Sequence, residues 1–225
     1  MRSPLHAKDD LSTKARIRQA AIARFGRDGF DANLRAIARD AGVSAASVVK
    51  LFGSKDGLRS ACDEYVFALI RDSKRAVIAE PGGAPGAFIG QLAQSAEYRP
   101  LIAYVLRSLQ TGGEYAAAFI DHMAADALEY VTEGVANGLI VPSRDEEARV
   151  RFLIGASLGN LLLDLATAGD ADAIESDEFW ERALGRLTLP ALEIYAEGFL
   201  TDRSLLETYL LYMSDPPVGA PGKPA

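Results

Sequence analysis

The residues best suited to act on another molecule lie in the segment 33–58, NLRAIARDAGVSAASVVKLFGSKDGL. Arg35, Ser47 and Lys50 can donate hydrogen bonds of the kind that base edges and phosphates accept. The chain has two histidines and one cysteine, and their spacing favours neither a nucleophile with its base nor a set of metal ligands. The chemistry open to this segment is therefore recognition, and no catalytic residue is predicted.

Two short helices are expected to position these side chains. In the first helix, apolar residues repeat at i, i+3, i+4 and i+7, which indicates a buried stripe made of Leu34, Ile37, Ala38 and Ala41. Asn33 is a favourable N-cap for this helix, and Gly42 can turn left-handed after its last turn. Ser44 then caps a second helix, which is predicted to face the first through Val48, Leu51 and Phe52.

The spacing of a small residue, a turn glycine and a branched apolar residue is what a packed helix-turn-helix needs. Ala38 lies where the two helices would cross, and Val48 fills the angle between them. In such a unit the second helix enters the major groove of DNA with its N-terminal residues facing base edges. The alternative is an ordinary helical hairpin inside an all-α protein.

Nine residues are predicted to contact DNA. Two of them are alanines, which offer only apolar contact with thymine methyl groups. Sequence preference is therefore expected to depend on Arg35, Ser47, Lys50 and the shape of the DNA. Lys55 lies in the first turn of the next helix, beside free backbone N–H groups, and is expected to bind a phosphate. The full set is Asn33, Arg35, Ser44, Ala45, Ala46, Ser47, Val49, Lys50 and Lys55.

Charge is divided unequally along the chain. The net charge is −7 at pH 7, yet residues 1–59 hold twelve Lys and Arg against six Asp and Glu. Residues 60–225 hold twelve Lys and Arg against twenty-five Asp and Glu. A basic N-terminal part on an acidic remainder is the charge layout of a DNA-binding head on a domain that does not bind DNA.

The composition favours a folded protein of the cytoplasm. Hydrophobic residues make up 49% of the chain, but they form no run of about 18 residues that would predict a membrane-spanning helix. The N-terminus lacks the apolar middle of a secretory signal. The single cysteine, Cys62, excludes an internal disulfide framework and is expected to be a small core residue.

The N-terminal part resembles the TetR family of bacterial transcriptional regulators. The runs AAIARFGRDGFDA, LRAIARDAGVS and FGSKDGL agree with that family in order and spacing. The resemblance implies an all-α protein, in which three N-terminal helices bind DNA and a fourth joins them to a larger helical domain that binds a ligand and dimerises. Val49 departs from the family pattern, because most members place there an aromatic residue that packs on the DNA backbone.

Helical periodicity continues to about residue 213. No strand pattern interrupts the helices predicted at 86–96, 99–110, 114–137, 144–168, 176–199 and 202–213. Pro190 is expected to kink one of them. The predicted organisation is a flexible arm at 1–11, a helix-turn-helix domain at 12–54, a ligand-binding and dimerisation domain at 55–213, and a disordered tail rich in Pro and Gly at 214–225.

The helix predicted at 144–168 is apolar on nearly every side of its second half, FLIGASLGNLLLDLA. A helix of that kind must be covered on more than one face. The resemblance implies a four-helix dimer seam from 147–166 and 178–199, with the interface residues Gly155, Gly159, Leu162, Trp180, Leu187 and Leu192. The alternative is an internal core helix in a monomer.

A ligand pocket is also implied by the resemblance, since members of the family bind inducers in the larger domain. Its candidate lining is aromatic and flexible apolar, which would equally suit an ordinary core: Tyr65, Leu69, Phe88, Tyr104, Leu109, Phe119 and Met123. His122 with Asp121, Asp126 and Glu129 is the one cluster that resembles a metal site. A solvated acidic face explains it better, so no metal and no cofactor is predicted.

Together these features predict a homodimeric, ligand-responsive DNA-binding regulator of transcription. It is expected to be a repressor that a small hydrophobic inducer releases from a pseudo-palindromic operator in double-stranded DNA. The alternative is a helical protein that binds or converts a small molecule and keeps a vestigial DNA-binding head. Footprinting of the DNA that flanks its own gene would distinguish the two.

Overall fold

The chain is built from α-helices. A computed structural model describes residues 13–78, 85–93, 95–169, 173–174 and 176–214. These residues form ten α-helices and no strand, as the sequence predicts. They fall into two compact units that divide between Ala183 and Leu184. The helices are α1 Thr13–Asp28, α2 Leu34–Asp40, α3 Ala45–Phe52, α4 Lys55–Ile78, α5 Pro85–Ala93, α6 Ser95–Gln110, α7 Gly113–Ala136, α8 Glu146–Ala168, α9 Asp177–Ala196 and α10 Ser204–Ser214.

One helix differs from the sequence prediction in where proline lies, and a second has its proline inside the helix as predicted. α6 begins at Ser95 rather than near residue 99, so Pro100 lies inside the helix instead of in its first turn. Proline at this depth donates no hydrogen bond to the carbonyl four residues earlier. Pro190 lies within α9, which continues to Ala196. The predicted arm, and the predicted tail beyond Ser214, lie outside the described residues.

Helices α1, α2 and α3 form a three-helix head. Its core contains Ile17, Phe25, Ile37 and Val48, which are fully buried. The α2–α3 turn is made at Gly42, whose φ of +67° favours glycine. These positions agree with the predicted helix-turn-helix. A correction concerns the far end of α3. Leu51, predicted to face α2, is exposed because it lies at the margin of the buried stripe. Phe52, one helical turn after Val48, packs on the core as predicted.

Helix α4 extends the core of the head into the rest of the unit. Leu58, Cys62 and Val66 lie along one face of α4 and are fully buried, which is the core role expected of the cysteine. The same cluster continues to Tyr104 of α6 and Phe119 of α7. We call the part from α4 to Ala183 the body. The head and the body therefore share one continuous core.

Two further apolar clusters hold α8 in the body. One surrounds Trp180, whose indole N–H donates a hydrogen bond to the backbone carbonyl of Ile174 at 2.6 Å, and it includes Leu161 of α8. The other joins Val131 of α7 to Val150 of α8. These contacts fix one side of α8, and its other side is exposed to solvent among the described residues of the first unit.

The second unit, described from 184 to 214, contains the end of α9 and all of α10. None of these residues is buried. Its large apolar side chains are open to solvent, with Phe199 and Leu211 among the most exposed. This unit therefore has no apolar core of its own within the described residues.

Candidate nucleic-acid interface

Capping side chains build the first turns of α2 and α3. The hydroxyl oxygen of Ser44 accepts a hydrogen bond from the backbone N–H of Ser47 at 3.1 Å, and the two serine hydroxyls lie 2.9 Å apart. The side-chain carbonyl of Asn33 accepts a hydrogen bond from the backbone N–H of Arg35 at 2.8 Å. Both caps satisfy N–H groups that would otherwise lack a partner at a helix start. The N-terminus of α3 is thus fixed while its outer side remains open.

The open side of the head presents Arg35, Ala46, Val49 and Lys50, all of them exposed. Ala45 is half-buried against the core of the head, so less of it faces outward than of Ala46. Ala45 lies three residues before the buried valine of α3, and residues at that spacing share a helix face. The outward row of α3 therefore offers one alanine methyl group and one lysine to a groove.

The first turn of α4 lies against the end of α3. Ser54 caps α4 through a hydrogen bond from the backbone N–H of Gly57 at 3.0 Å. A Cβ atom on Gly57 would fall on the carbonyl oxygen of Phe52, far inside van der Waals contact. Glycine is therefore required there, and it keeps Lys55 next to the recognition helix.

An ion-pair network joins α1 to α2. Nε of Arg24 donates to Asp40 at 2.9 Å, and Nη1 of the same side chain donates to Asp28 at 2.9 Å. Hydrogen bonds from Arg27 and Arg24 lower the pKa of Asp28 to about 2. Arg24 therefore holds the two helices together and is not an open phosphate contact.

The head meets the body where α1 crosses α6. A Cβ atom on Gly26 would lie 3.1 Å from the backbone nitrogen of Tyr104 and 3.2 Å from Cβ of Ala103, so the crossing depends on glycine. At the end of α1, the carbonyl of Arg27 accepts a hydrogen bond from Arg107 at 3.1 Å. The head is thus seated on α6 through close backbone packing.

A half-buried carboxylate of α4, that of Asp63, lies beside this crossing. Tyr104 donates a hydrogen bond to Oδ1 of Asp63 at 2.6 Å, and the hydroxyl of Tyr115 lies 2.9 Å from both carboxylate oxygens. Burial raises the pKa of Asp63, although these hydroxyls and Arg59 favour its charged form. The guanidinium carbon of Arg59 lies 3.5 Å from the ring centroids of both Phe30 and Tyr115. This cluster connects α4, α6 and α7 to the turn that follows α1.

A small cavity lies between α4, α7 and α8. Its volume is about 20 Å³, which is room for one water molecule. Oδ1 of Asp126 accepts a hydrogen bond from Arg71 at 3.2 Å, whereas Oδ2 is buried without a hydrogen-bond partner among the described residues. The walls are otherwise mostly apolar, and the lining residues are Phe67, Ile70, Met123, Asp126, Tyr130 and Ile154.

The residues predicted to line a pocket are only in part found at this cavity. Met123 lines it. Tyr104 and Phe119 are buried in the core that the head and the body share, and Phe88 is half-buried in α5. The other three pack against the shared core: Tyr65, Leu69 and Leu109. Periodicity identified α4 and α7, but both helices are apolar on two sides, so it did not identify the side that faces the cavity.

The residues predicted to form a dimer interface are divided between surface and core. Among the described residues, a Cβ atom on Gly155 or Gly159 would meet no atom within 4 Å. Leu162 packs against the cluster that surrounds Trp180, and Trp180 itself is 1% exposed, so its ring is not open to a second copy. In the second unit one of the predicted residues is half-buried and one is exposed, namely Leu187 and Leu192.

Helix α8 leaves most of its apolar surface uncovered. Phe152 is 71% exposed and Leu163 is 66% exposed. Of the described helices, α8 alone has a length and composition that would suffice to cross a membrane, and 11% of its most apolar stretch is buried within the chain. The same helix carries Arg151, which pairs with Asp121 of α7 at 2.7 Å.

His122 packs against α4 and lies near Asp126 of its own helix. Among the residues the structure describes, no three His, Cys, Asp or Glu side chains are placed to hold a metal ion. The imidazole of His122 stacks on Phe67 with ring centroids 4.0 Å apart, and its Nε2 lies 3.9 Å from Asp126. His122 thus borders the cavity.

Sequence reasoning missed Gly57, Arg59 and Asp63. Gly57 had a signal, because glycine is unfavourable inside a helix unless another group approaches closely. Arg59 and Asp63 had no such signal in the neighbouring sequence. The partners of Asp63 are Tyr104 and Tyr115, which lie 41 and 52 residues further along the chain, so only folding brings them together.

Known proteins resemble both parts of the chain. Residues 17–62 match the family model of bacterial regulatory proteins, tetR family, and residues 96–201 match that of the tetracyclin repressor-like C-terminal domain. The HTH-type transcriptional regulatory protein RaaS of Mycobacterium tuberculosis is 46% identical over 204 residues, which cover 89% of this chain and 93% of that protein. The HTH-type transcriptional dual regulator CecR of Shigella flexneri is 33% identical over 75 residues, which cover 33% of this chain and 34% of that protein.

A solved structure shares the fold. A Clostridium perfringens protein, named for regulation of fatty acid metabolism, superposes with a TM-score of 0.53 at 15% identity and covers 83% of this chain and 100% of that chain. The capped helix-turn-helix, the family matches on both parts and the identity across most of the length agree with one another. The chain belongs to the TetR family of transcriptional regulators.

Proposed function

We propose that the protein is a homodimeric repressor of the cytoplasm, which leaves its operator when a small, mainly apolar ligand binds the body. The domains of this proposal are an arm at 1–11, the DNA-binding domain at 12–54, the ligand-binding and dimerisation domain at 55–213 and a tail at 214–225. The observation that carries it is the outward face of the head, where Arg35, Val49 and Lys50 lie open beside the capped start of α3. No catalytic role is proposed.

The head has groups suited both to reading bases and to holding phosphates. Ala46 can contact a thymine methyl group, and the exposed amine of Lys50, one helical turn later, can donate to a base edge. Lys55 is placed differently, at the N-terminus of α4, where free backbone N–H groups also favour an anion. A phosphate held there would fix the register of the head without reading sequence.

A second copy of the chain is proposed to cover the open face of α8. This face carries Phe152, Gly155 and Leu163, all exposed. Arg151 of the same helix forms an ion pair with Asp121 of α7, which favours contact with protein and water over contact with lipid. A two-fold dimer would present two heads to a pseudo-palindromic operator, with half-sites roughly 34–36 Å apart or a multiple of that distance.

The ligand is proposed to enter the cavity between α4, α7 and α8. Because typical ligand pockets hold roughly 300 Å³ or more, a ligand must part the walls, and Met123 is the most adaptable of them. Phe67 and Ile70 form the α4 wall, and Lys55 begins the same helix. A ligand that binds the opened cavity more tightly would shift the population towards dimers whose heads do not match the half-sites.

Footprinting of the DNA upstream of the protein's own gene, together with sedimentation, tests the proposal. We expect dimers that protect two half-sites, with an affinity that falls steeply as salt is added because phosphate contacts release counterions. Dimers that protect no DNA at low ionic strength would favour the alternative of a vestigial head. Single subunits that protect no DNA would contradict the proposal as a whole.

A further inference from the structure

One side chain of α4 lies between the head and α7. Arg59 is flanked by Phe30, in the turn after α1, and by Tyr115, in the first turn of α7. Its guanidinium carbon is 3.5 Å from each ring centroid, while the two centroids are 6.1 Å apart and the rings are inclined at 65°. The positive charge is therefore close to both rings, although the inclination of the rings lets the guanidinium plane lie parallel to only one of them. We call this arrangement the Arg59 slot, made of Phe30, Arg59 and Tyr115.

The carboxylate of Asp63 fixes one wall of the slot. Asp63 lies one helical turn after Arg59, and both of its oxygens lie 2.9 Å from the hydroxyl of Tyr115. Tyr104, which donates to the same carboxylate, also sets its ring edge-on to Phe30 with centroids 5.5 Å apart. The slot is therefore anchored from α4 and α6 and not only by its own contacts.

The guanidinium is held by its faces more than by hydrogen bonds. Nε and Nη2 of Arg59 are fully buried and have no hydrogen-bond partner among the described residues. Buried N–H groups without an acceptor are unfavourable, so the arrangement depends on both rings remaining in place. If Tyr115 moved away, the guanidinium would lose half of its stacking and would no longer support Phe30.

The slot and the cavity are connected along the same two helices. α4 carries Arg59 and then Phe67, and α7 carries Tyr115 and then Met123. The two helices also contact each other where Phe67 of α4 packs on Phe119 of α7, with ring centroids 4.6 Å apart. Separation of α4 from α7 at the cavity would therefore also separate Tyr115 from Arg59.

We propose that Arg59 is a positioning residue for specific DNA binding, which sets the orientation of the head by filling the slot between Phe30 and Tyr115. The inference rests on the proposed DNA-binding function. It adds that the spacing of α4 and α7 controls the head through this one stacked cation. Lysine at this position would keep the charge, but its compact ammonium group lacks the broad delocalised cation that reaches both rings.

Three variants and a matched control test the proposal. Arg59→Lys keeps the charge, Tyr115→Leu removes one wall, and Tyr115→Phe keeps the ring but removes its hydrogen bond to the carboxylate. Arg151→Lys changes an exposed arginine of α8 in the same way and serves as the control. The measurements are amide hydrogen exchange, the thermal unfolding midpoint, and affinities for the DNA upstream of the gene and for unrelated DNA at one salt concentration.

We expect Arg59→Lys and Tyr115→Leu to speed exchange at residues 29–41 while α8 exchanges as in the wild type. The ratio of specific to non-specific affinity should fall about tenfold, with non-specific affinity unchanged for the lysine variant because the charge is kept. Tyr115→Phe should have a smaller effect, and the control should have none. These changes should appear while the unfolding midpoint stays near that of the wild type.

Two results would overturn the role of Arg59. One is wild-type exchange and a wild-type affinity ratio in Arg59→Lys. The other is faster exchange throughout the chain with a lowered midpoint, which would make Arg59 a residue of general stability. If the wild type itself prefers no DNA, the proposed function fails, and the exchange measurement still decides whether Arg59 holds the head.

Discussion

The hydroxyl of Tyr104 donates a 2.6 Å hydrogen bond to Oδ1 of Asp63, and this bond joins α6 to α4 beside the crossing that seats the head. The hydroxyl of Tyr115 of α7 donates a hydrogen bond to the same carboxylate. Three helices of the body thus meet at one half-buried acid. We call the contact of Asp63 with Tyr104 and Tyr115 the joint. Because burial raises the pKa of Asp63, the stability of the joint depends on pH.

Asp63→Asn should remove a pH-dependent part of the stability. In the folded protein the pKa of Asp63 is raised above its ordinary value of 3.8, so the native state holds this proton more tightly than the unfolded chain does. The stabilisation is therefore fully present below pH 3.8 and is lost as the pH rises through the raised pKa. The free energy of unfolding, measured in urea, should be compared between the wild type and the variant. The wild-type value minus the variant value should fall as the pH rises from 3.8 through the raised pKa of Asp63, and should be constant at higher pH.

Asp121→Asn provides the control for that experiment, because Asp121 is an exposed carboxylate with an arginine partner. It should not reproduce the fall in this window. A difference between wild type and Asp63→Asn that rises with pH would mean that the tyrosine hydroxyls and Arg59 outweigh burial, and would contradict a raised pKa for Asp63.

Gly57→Ala should damage both stability and DNA binding. Its Cβ atom would lie far inside van der Waals contact with the carbonyl oxygen of Phe52, so α3 and α4 must move apart. We expect a loss of about 3 kcal/mol in the free energy of unfolding, the upper part of the range for overpacked sites. Affinity for all DNA should fall as well, because Lys55 moves relative to α3. Urea unfolding and filter binding measure the two effects.

Gly90→Ala is the matched control, since a Cβ atom there meets no atom within 4 Å and the residue lies inside α5. That change should leave the stability unchanged or raise it by up to about 1 kcal/mol, because alanine is the better helix former. Equal effects of the two substitutions would show that the close approach at Gly57 does not constrain the head.

Lys55→Ala and Lys50→Ala should weaken DNA binding in different ways. Loss of Lys55 removes a phosphate contact, so affinity for every DNA should fall and the slope of log affinity against log salt should shrink by about one. Loss of Lys50, on the outward row of α3, should change the preferred sequence, at a cost of about 1–3 kcal/mol at one base pair.

Binding of randomised DNA pools at two salt concentrations measures both effects. Arg144→Ala, which removes an exposed positive charge from the body, should change neither. Uniform weakening by both lysine variants would contradict the separate roles of Lys50 and Lys55.

The head could be predicted from the sequence because its signals are local. Asn33 and Ser44 act on backbone groups two or three residues away, and Gly42 turns the chain where it stands. Such relationships are visible among neighbouring residues. The buried faces of α2 and α3 follow from the same periodicity, except at Ala45 and Leu51, which lie on the margin between core and surface.

The joint and the cavity could not be predicted, because they depend on how distant helices are rotated about their axes. Periodicity identifies an apolar side of α4, but that helix is covered on several sides, so nothing in the sequence distinguishes Phe67 at the cavity from Tyr65 against α1. Trp180 illustrates the same limit. The resemblance implies that Trp180 lies at a subunit interface, and only packing places its ring in the interior.

Gly155→Ala and Gly159→Ala together distinguish a subunit seam from a free surface. Within the chain neither new methyl group meets an atom, so each should stabilise an isolated subunit by up to about 1 kcal/mol through helix propensity. In the proposed dimer the same methyl groups would push the subunits apart. We therefore expect the double variant to dissociate more readily in sedimentation equilibrium, by about tenfold or more in dissociation constant.

Leu163→Ser tests whether weaker dimerisation of the glycine variant comes from a lost contact between subunits or from a change in the α8 helix itself. Leu163 is 66% exposed, so its loss should cost an isolated subunit little, whereas a partner packed on α8 would lose apolar contact. Because the melting temperature of a dimer depends on its concentration, weaker dimerisation should also lower the midpoint most in dilute samples. A double glycine variant that is more stable and dimerises like the wild type would locate the seam away from α8. In that case Leu163→Ser would also leave the dissociation constant of the dimer unchanged.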